Sequence, residues 1–161
     1  MIVKKELDLT SLMIPNSVTN ITPKAFVGCE NLAHVLGYEK VGGIVGGHTN
    51  GTIQRCVNKG LVEGTREGGY SAYVGGVVGY VNATRQTFLL NSASAGNVKA
   101  SLGVGGLVGG ISGKTLVLNG CWFSGDLTEA TQDDETVGLL VGDVPSTTTV
   151  NCSNSYYKNA F

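Results

Sequence analysis

The chain has 161 residues, with 11 basic and 12 acidic side chains and a mean hydropathy of +0.13. This near balance of charge gives no electrostatic footprint for nucleic acid or for an anionic membrane, and no apolar run reaches the length of a membrane span. Glycine fills 25 positions, proline fills 3, and charged residues make up 14% of the sequence. Because an interior glycine costs a helix about 1 kcal/mol relative to alanine, this composition disfavours long helices.

Residues 1–38 differ in pattern from the rest of the chain and are expected to form a separate N-terminal unit. The segment Ile14-Pro15-Asn16-Ser17-Val18 is followed at fixed spacing by Ile21, Ala25-Phe26, Cys29 and Leu32. This pattern resembles the BspA-like leucine-rich repeat, I-P-x-S-V-x-x-I-x-x-x-A-F-x-x-C-x-x-L, over roughly residues 7–36. The expected buried set is Val18, Ile21, Ala25, Phe26, Cys29 and Leu32. One such repeat cannot form an independent core, so we expect it to cap the segment that follows.

A six-residue phrase then occurs four times and is the most regular feature of the chain. Its copies read VGGIVG, VGGVVG, VGGLVG and VGLLVG, and they begin at Val41, Val74, Val104 and Val137. The intervals between them are 33, 30 and 33 residues. A fixed period of this size is typical of stacked-repeat proteins, in which each unit buries its apolar side against its neighbours.

Between the glycine phrases, the copies can be aligned in columns by their turn glycines, Gly60, Gly96 and Gly125, with Tyr156 in the last copy. Two columns stay apolar and are expected to form interior ladders: Ile53, Leu89 and Leu118, and Val62, Val98 and Leu127. A third column holds Cys56, Ser92, Cys121 and Cys152, and Thr149 extends the first. Short strands separated by Gly and Asn turns, stacked at about 4.8 Å, predict an all-β fold: a right-handed parallel β-helix of about four coils.

The glycine phrase, followed about a dozen residues later by Cys/Ser-x-[NSF]-x-Gly-x-Val, resembles the GLUG repeat of bacterial surface proteins over roughly residues 41–157. We therefore expect residues 41–161 to form a GLUG-repeat β-solenoid. In the fourth copy Leu139 replaces the second glycine, and the aromatic run Tyr156-Tyr157, with Phe161, is expected to cover the open edge. The two resemblances imply a cell-surface or secreted protein. No charged-then-apolar leader opens the sequence, so the protein is either not exported or present here as a mature or trimmed chain.

Two adjacent apolar residues inside each glycine phrase break the strict alternation expected of a strand. Either a bulge turns both inward, or one column forms an apolar outer stripe through which the protein self-associates; that column is Val45, Val78, Val108 and Val141. The open edge of the solenoid is a second surface for self-association.

The four cysteines stand at positions expected to be small and buried. Cys56, Cys121 and Cys152 are predicted to be buried and reduced, and Cys29 belongs to the leucine-rich unit. Neighbouring coils place only Cys121 and Cys152 close enough for a disulfide.

Chemistry-bearing motifs are few. Gly109–Thr115 ends in G-K-T, but a nucleotide loop requires glycine at the position of Val108 and a helix afterwards. The stretch Asp133-Asp134-Glu135 is either a calcium site or a solvated insertion. His34 and His48 lack the Ser or Cys and carboxylate spacing of a triad, and the outward charges Glu63, Lys99, Arg55 and Lys59 are of mixed sign and scattered. We expect no catalytic residue, no cofactor and no enzyme activity.

Aromatic side chains are the candidates for ligand binding, because their faces stack on sugars and on other apolar surfaces. The candidate binding residues are Tyr70, Tyr73, Tyr80 and Trp122, although Trp122, next to Phe123, could equally belong to the core. The resemblances imply a non-catalytic module that mediates adhesion or binds a host matrix protein or a polysaccharide. The alternatives are a structural spacer that projects another domain and a carbohydrate-active β-helix enzyme.

Overall fold

The computed structural model describes residues 11–13, 34–65, 72–100, 103–129 and 137–158, and this part of the chain is all-β. Every strand pairing in it is parallel. Parallel pairing between strands about one repeat apart in sequence means that the chain winds round and stacks on itself. The described strands thus form a β-solenoid of about three turns.

The first half of the described chain supplies ten strands, some of only two residues. They are β1 (Ser11–Met13), β2 (His34–Gly37), β3 (Val41–Gly42), β4 (Val45–His48), β5 (Gly51–Gln54), β6 (Val57–Asn58), β7 (Leu61–Gly64), β8 (Val74–Gly75), β9 (Val78–Leu90) and β10 (Ala93–Ser94).

The second half supplies nine more and repeats the same order of short and long strands. They are β11 (Val98–Ala100), β12 (Val104–Gly105), β13 (Val108–Asn119), β14 (Trp122–Phe123), β15 (Leu127–Glu129), β16 (Val137–Gly138), β17 (Val141–Asp143), β18 (Thr149–Ser153) and β19 (Tyr156–Tyr157).

The strands form four parallel sheets, and in each copy the chain passes through them in the order A, B, C, D. Sheet A is β1-β2-β7-β11-β15, sheet B is β3-β8-β12-β16, and sheet D is β6-β10-β14-β19. Sheet C is the widest, with β9 and β13 at its centre, β4 and β5 beside β9, and β17 and β18 beside β13. Side chains from all four sheets meet in one apolar core.

Both predicted interior ladders are confirmed. Leu89 lies opposite Ile53 on one side and Leu118 on the other, and all three are buried. On sheet A, Val98 pairs with Val62 and with Leu127. The two valines are fully buried, whereas Leu127 is half-buried because it belongs to the outermost copy.

At each glycine phrase the chain bends from sheet B to sheet C, and two consecutive residues at the bend turn inward. The amides of Val77 and Val78 both donate to the carbonyl of Leu107, at 3.0 and 2.9 Å. The offset between copies is the same before and after this point, 30 residues at Gly75–Gly105 and at Val78–Val108, so no residue is inserted; the change of sheet interrupts the alternation of faces. Val45, Val78 and Val108 are consequently buried and Val141 is half-buried. The column therefore lies in the core, and the alternative of an apolar outer stripe for self-association is wrong.

Two further corners use left-handed backbone, stacked from copy to copy. Lys40, Tyr73 and Gly103 have positive φ between sheets A and B. Between sheets C and D the left-handed residues are Arg55, Asn91, Gly120 and Asn154, with φ of 56°, 47°, 69° and 48°. Because this conformation strains most side chains, its recurrence in one column shows that the stacked backbone imposes it.

The register of the last copy differs from the sequence prediction. Tyr156 pairs with Trp122, not with the turn glycine Gly125, and Cys152 lies opposite Leu118. The residue beside Cys121 is Ser155, whose Oγ accepts a 3.2 Å hydrogen bond from the Cys121 amide. The sequence prediction placed Cys152 in the column of Cys121 and Thr149 in the column of Leu118. Both placements are wrong, because the register is set by backbone pairing and not by residue identity.

The last copy leaves inward positions uncovered. Tyr157 pairs with the buried Phe123 yet is 42% exposed, and Leu139 is 49% exposed. At the other end β1 extends sheet A, while residues 14–33, including most of the expected leucine-rich unit, lie outside the described residues. The described part contains no helix able to span a bilayer.

Candidate functional site

The most prominent surface feature is a column of apolar side chains on sheet D, which we call the outer ladder. It consists of Val57, Ala93, Trp122 and Tyr156, each directly opposite the next on parallel strands. Val57, Trp122 and Tyr156 are 58, 55 and 65% exposed. Trp122 therefore belongs to the surface and not to the core, which answers the question that its sequence position next to Phe123 left open.

Alternation along the short strands of sheet D fixes this orientation. The next column, Asn58, Ser94 and Phe123, is buried, so the preceding column must face outward. The buried polar pair is satisfied: Asn58 Nδ2 donates to Ser94 Oγ at 3.2 Å and to the Gly60 carbonyl at 2.9 Å. These bonds anchor the inner side of the sheet and hold the outer ladder in register.

Serine and cysteine anchor the start of the same strands. Ser92 Oγ accepts a hydrogen bond from the Cys56 amide and donates one to the Leu90 carbonyl, at 3.2 and 2.9 Å. Cys121 is buried and its Sγ donates to the Leu89 carbonyl at 3.2 Å. Burial raises the pKa of the Cys121, Cys56 and Cys152 thiols. The nearby Cys121 raises the pKa of Cys152 further, by a smaller amount. Cys152, predicted to be buried, is exposed because its position faces the uncovered end.

Basic residues flank the outer ladder. Arg55 and Lys59 lie on either side of Val57, and Lys158 follows Tyr157; all three are exposed. The described positions of sheet D and its adjoining turns, residues 54–60, 90–96, 119–125 and 153–158, contain no Asp or Glu. The face therefore combines an apolar, partly aromatic centre with positive charge.

Two of the predicted binding tyrosines meet elsewhere on the surface. The rings of Tyr73 and Tyr80 have centroids 4.5 Å apart and are tilted by 50°. Lys40 Nζ lies 5.6 Å from the centre of the Tyr80 ring, within range of a cation–π interaction. Gly110 makes room for the pair, since a Cβ there would collide with the Tyr73 ring.

The four predicted binding residues are thus divided. Tyr73 and Tyr80 form one cluster, Trp122 belongs to the outer ladder on a different sheet, and Tyr70 lies outside the described residues. Tyr156, which completes the outer ladder, was missed as a binding residue because the sequence alignment placed it in a turn column. The signal that could have found it is the aromatic residue itself, two positions after the left-handed Asn154.

On sheet A the outward charges form a row and are not scattered. Lys99 Nζ donates a 2.8 Å hydrogen bond to Glu63 Oε1, and His34 Nε2 lies 3.3 Å from Glu63 Oε2. The hydrogen bond from Lys99, and secondarily the positive charges of Lys99 and His34, lower the pKa of Glu63 against the opposing effect of burial. His48 is buried in β4, and its burial lowers its pKa.

The structure also locates the remaining motifs considered in the sequence analysis. Gly109–Thr115 lies within β13, so this segment is a strand and not a phosphate-binding loop. The described residues hold no cluster of three or more side chains able to bind a metal, and Asp133–Glu135 lie outside them. Comparisons with protein-family models, with curated proteins and with solved structures found no match for this chain.

Proposed function

We propose that the chain is a non-catalytic, cell-surface or secreted repeat module that mediates adhesion by binding a host matrix protein or a glycan through the outer ladder. This proposal retains the resemblance to GLUG repeats over residues 41–157 and to a BspA-like leucine-rich cap over residues 1–38. It also retains a right-handed helix of about four coils.

The observation that carries the proposal is the outer ladder itself. Val57, Trp122 and Tyr156 are all more than half exposed although the core a few ångströms away is closely packed. Large apolar side chains gathered in one exposed column favour contact with a partner, because burying each aromatic ring removes roughly 150–250 Å² of surface from water.

A binding array tests the proposal. The wild-type protein is applied to neutral and anionic polysaccharides and to matrix proteins, beside Trp122→Ala/Tyr156→Ala and a control, Val144→Ala. Val144 is exposed and apolar but lies outside sheet D. We expect binding by the wild type and the control, and a loss of at least about ten-fold in the double variant, the equivalent of one to two lost contacts.

Other results support the alternative functions. A wild type that binds nothing indicates a spacer. Binding that survives the double substitution moves the site to another surface, such as Lys40, Tyr73 and Tyr80. Release of reducing ends from a polysaccharide identifies an enzyme.

A further inference from the structure

We infer that the ligand of the outer ladder is an anionic polysaccharide, lying along the solenoid axis with its sugar faces on Trp122 and Tyr156 and its acidic groups on the flanking cations. The inference depends on the proposed binding function and adds the chemical class of the ligand.

The shape of the face favours a linear polymer. Each strand of sheet D has only two residues, so the sheet is narrow across the strands and extends along the stack. Neighbouring strands lie about 4.8 Å apart, so the four side chains of the outer ladder span about 14 Å in a single line. Trp122 and Tyr156 are neighbours in that line and form its aromatic half.

The chemistry of the centre favours a sugar ring. Aromatic faces carry negative electrostatic potential, and they attract the weakly positive C–H groups that a pyranose presents on its flat side. The members of the outer ladder are uncharged and stand in one line on a parallel sheet, which suits flat stacking better than insertion of a peptide side chain into a pocket.

The charge at the margins indicates an acid. Arg55 and Lys59 border the ladder at the first copy and Lys158 at the last. None of the three has an ion-pair partner among the described residues, in contrast to Lys99, which is paired with Glu63. Three exposed cations without an ion-pair partner are matched by an acidic group at each end of the bound segment.

The low density of positive charge on this face also favours a polysaccharide over a nucleic acid as the ligand. A nucleic acid carries a phosphate at every nucleotide, and its binding depends on a dense row of cations. Here the cations are confined to the two ends of the ladder, and the chain as a whole has a net charge of −1. Sparse charge on a ring polymer fits this arrangement better.

The test uses pairs of polymers that share a sugar backbone and differ in charge: polygalacturonate against its methyl-esterified form, and dextran sulfate against dextran. Four proteins are compared: the wild type, Trp122→Ala/Tyr156→Ala, Lys59→Gln/Lys158→Gln, and the control Arg85→Gln/Lys114→Gln. The control removes two exposed cations that lie outside sheet D. Circular dichroism and thermal melting verify that every variant is folded.

We expect the wild type and control to bind at least one anionic polymer about ten-fold or more tightly than its neutral form, with affinity falling as salt rises. Both sheet D variants should lose about ten-fold or more. Equal binding of the charged and neutral forms, binding of matrix proteins alone, or no effect of the lysine substitutions overturns this inference but leaves the proposed function standing. If polyuridylate or polyglutamate competes as effectively as the polysaccharide itself, the inference is overturned in favour of a general polyanion site. Absence of binding to every probe overturns both.

Discussion

Lys99 lies directly opposite Glu63 on the neighbouring strand of sheet A, and its Nζ donates a 2.8 Å hydrogen bond to the Glu63 carboxylate. The same carboxylate is within 3.3 Å of His34 Nε2. The row shows that stacking copies place complementary charges in contact on the outer surface, although each copy carries only one of them at this position.

The lowered pKa of Glu63 makes its contribution to stability depend on pH. A carboxylate with a lowered pKa in the folded state stabilises the fold above the ordinary pKa of glutamate, and this stabilisation disappears as the pH falls through the lowered value. Glu63→Gln should therefore destabilise the protein at pH 7, by at most about 1 kcal/mol because the pair is partly exposed. The difference should be smaller at about pH 3, below the ordinary pKa of glutamate, where the folded protein begins to protonate this carboxylate. Urea denaturation at both pH values measures it, and an equal loss at the two would contradict the role of the charge.

Leu89 should be among the most sensitive core positions, because it lies between Ile53 and Leu118 in the middle of the stack. Leu89→Ala is expected to cost about 2–5 kcal/mol, the range for a buried leucine that leaves a cavity. The adjacent Leu90 is only half-buried, and Leu90→Ala serves as the matched control with a loss of less than about 1 kcal/mol. A reversed order would mean that the strand is shifted by one residue.

The glycine phrase should tolerate no side chain at its second position. A Cβ at Gly75 would collide with the Val78 carbonyl oxygen and crowd the Gly109 amide, and both are backbone atoms of the packed corners. Gly75→Ala should cost about 3 kcal/mol.

The control for that substitution is Gly51→Ala. Gly51 has φ of 102°, but no atom lies within 4 Å of the position that a Cβ would occupy, so its substitution involves backbone strain alone. It should cost about 1–2 kcal/mol. Thermal melting of the two variants separates crowding from strain, and equal losses would show that crowding at Gly75 is relieved by movement of the corner.

The three described thiols should react with a maleimide in the order of their exposure. Cys152 is exposed, Cys56 is half-buried and Cys121 is buried, so Cys152 should be modified first in the native protein. Cys152→Ser should remove the fast phase and leave the others. After denaturation four free thiols are expected from the four cysteines of the chain. Finding two would contradict the prediction that the cysteines are reduced.

The repeat pattern predicted the interior well and the last copy poorly, for a physical reason. Ile53, Leu89 and Leu118 could be aligned because identical environments select similar side chains in successive copies. Between the third and fourth copies the offset rises from 33 residues at Gly110–Asp143 to 34 at Thr115–Thr149. The alignment by residue type matched Cys121 with Cys152, an offset of 31 residues, because nothing in the composition signals that insertion, which lies beside the turn in which the Thr148 amide donates to the Pro145 carbonyl.

The candidate site was predicted only in part because it depends on contacts between copies. Tyr73 and Tyr80 are seven positions apart in sequence, and their rings meet with Tyr73 at a left-handed corner and Tyr80 in β9. The neighbour of Trp122 on the outer ladder is Tyr156, which the sequence alignment had placed three columns away. The repeat period predicts which residues face outward. It does not predict which outward residues are neighbours on adjacent strands, because that depends on the exact register.

Tyr157 is half-exposed at the position that the buried Phe123 occupies in the preceding copy. This incomplete burial affects how the stability of such an array depends on the number of copies. The unfavourable surface at that end is the same however many copies precede it, whereas each inserted copy contributes another fully covered layer. Stability should therefore rise nearly in proportion to the number of copies, with a constant deficit set by the terminal layer. Duplicating an internal repeat would strengthen the whole molecule without any new type of contact, whereas a change that harms one internal layer weakens the two interfaces on either side of it.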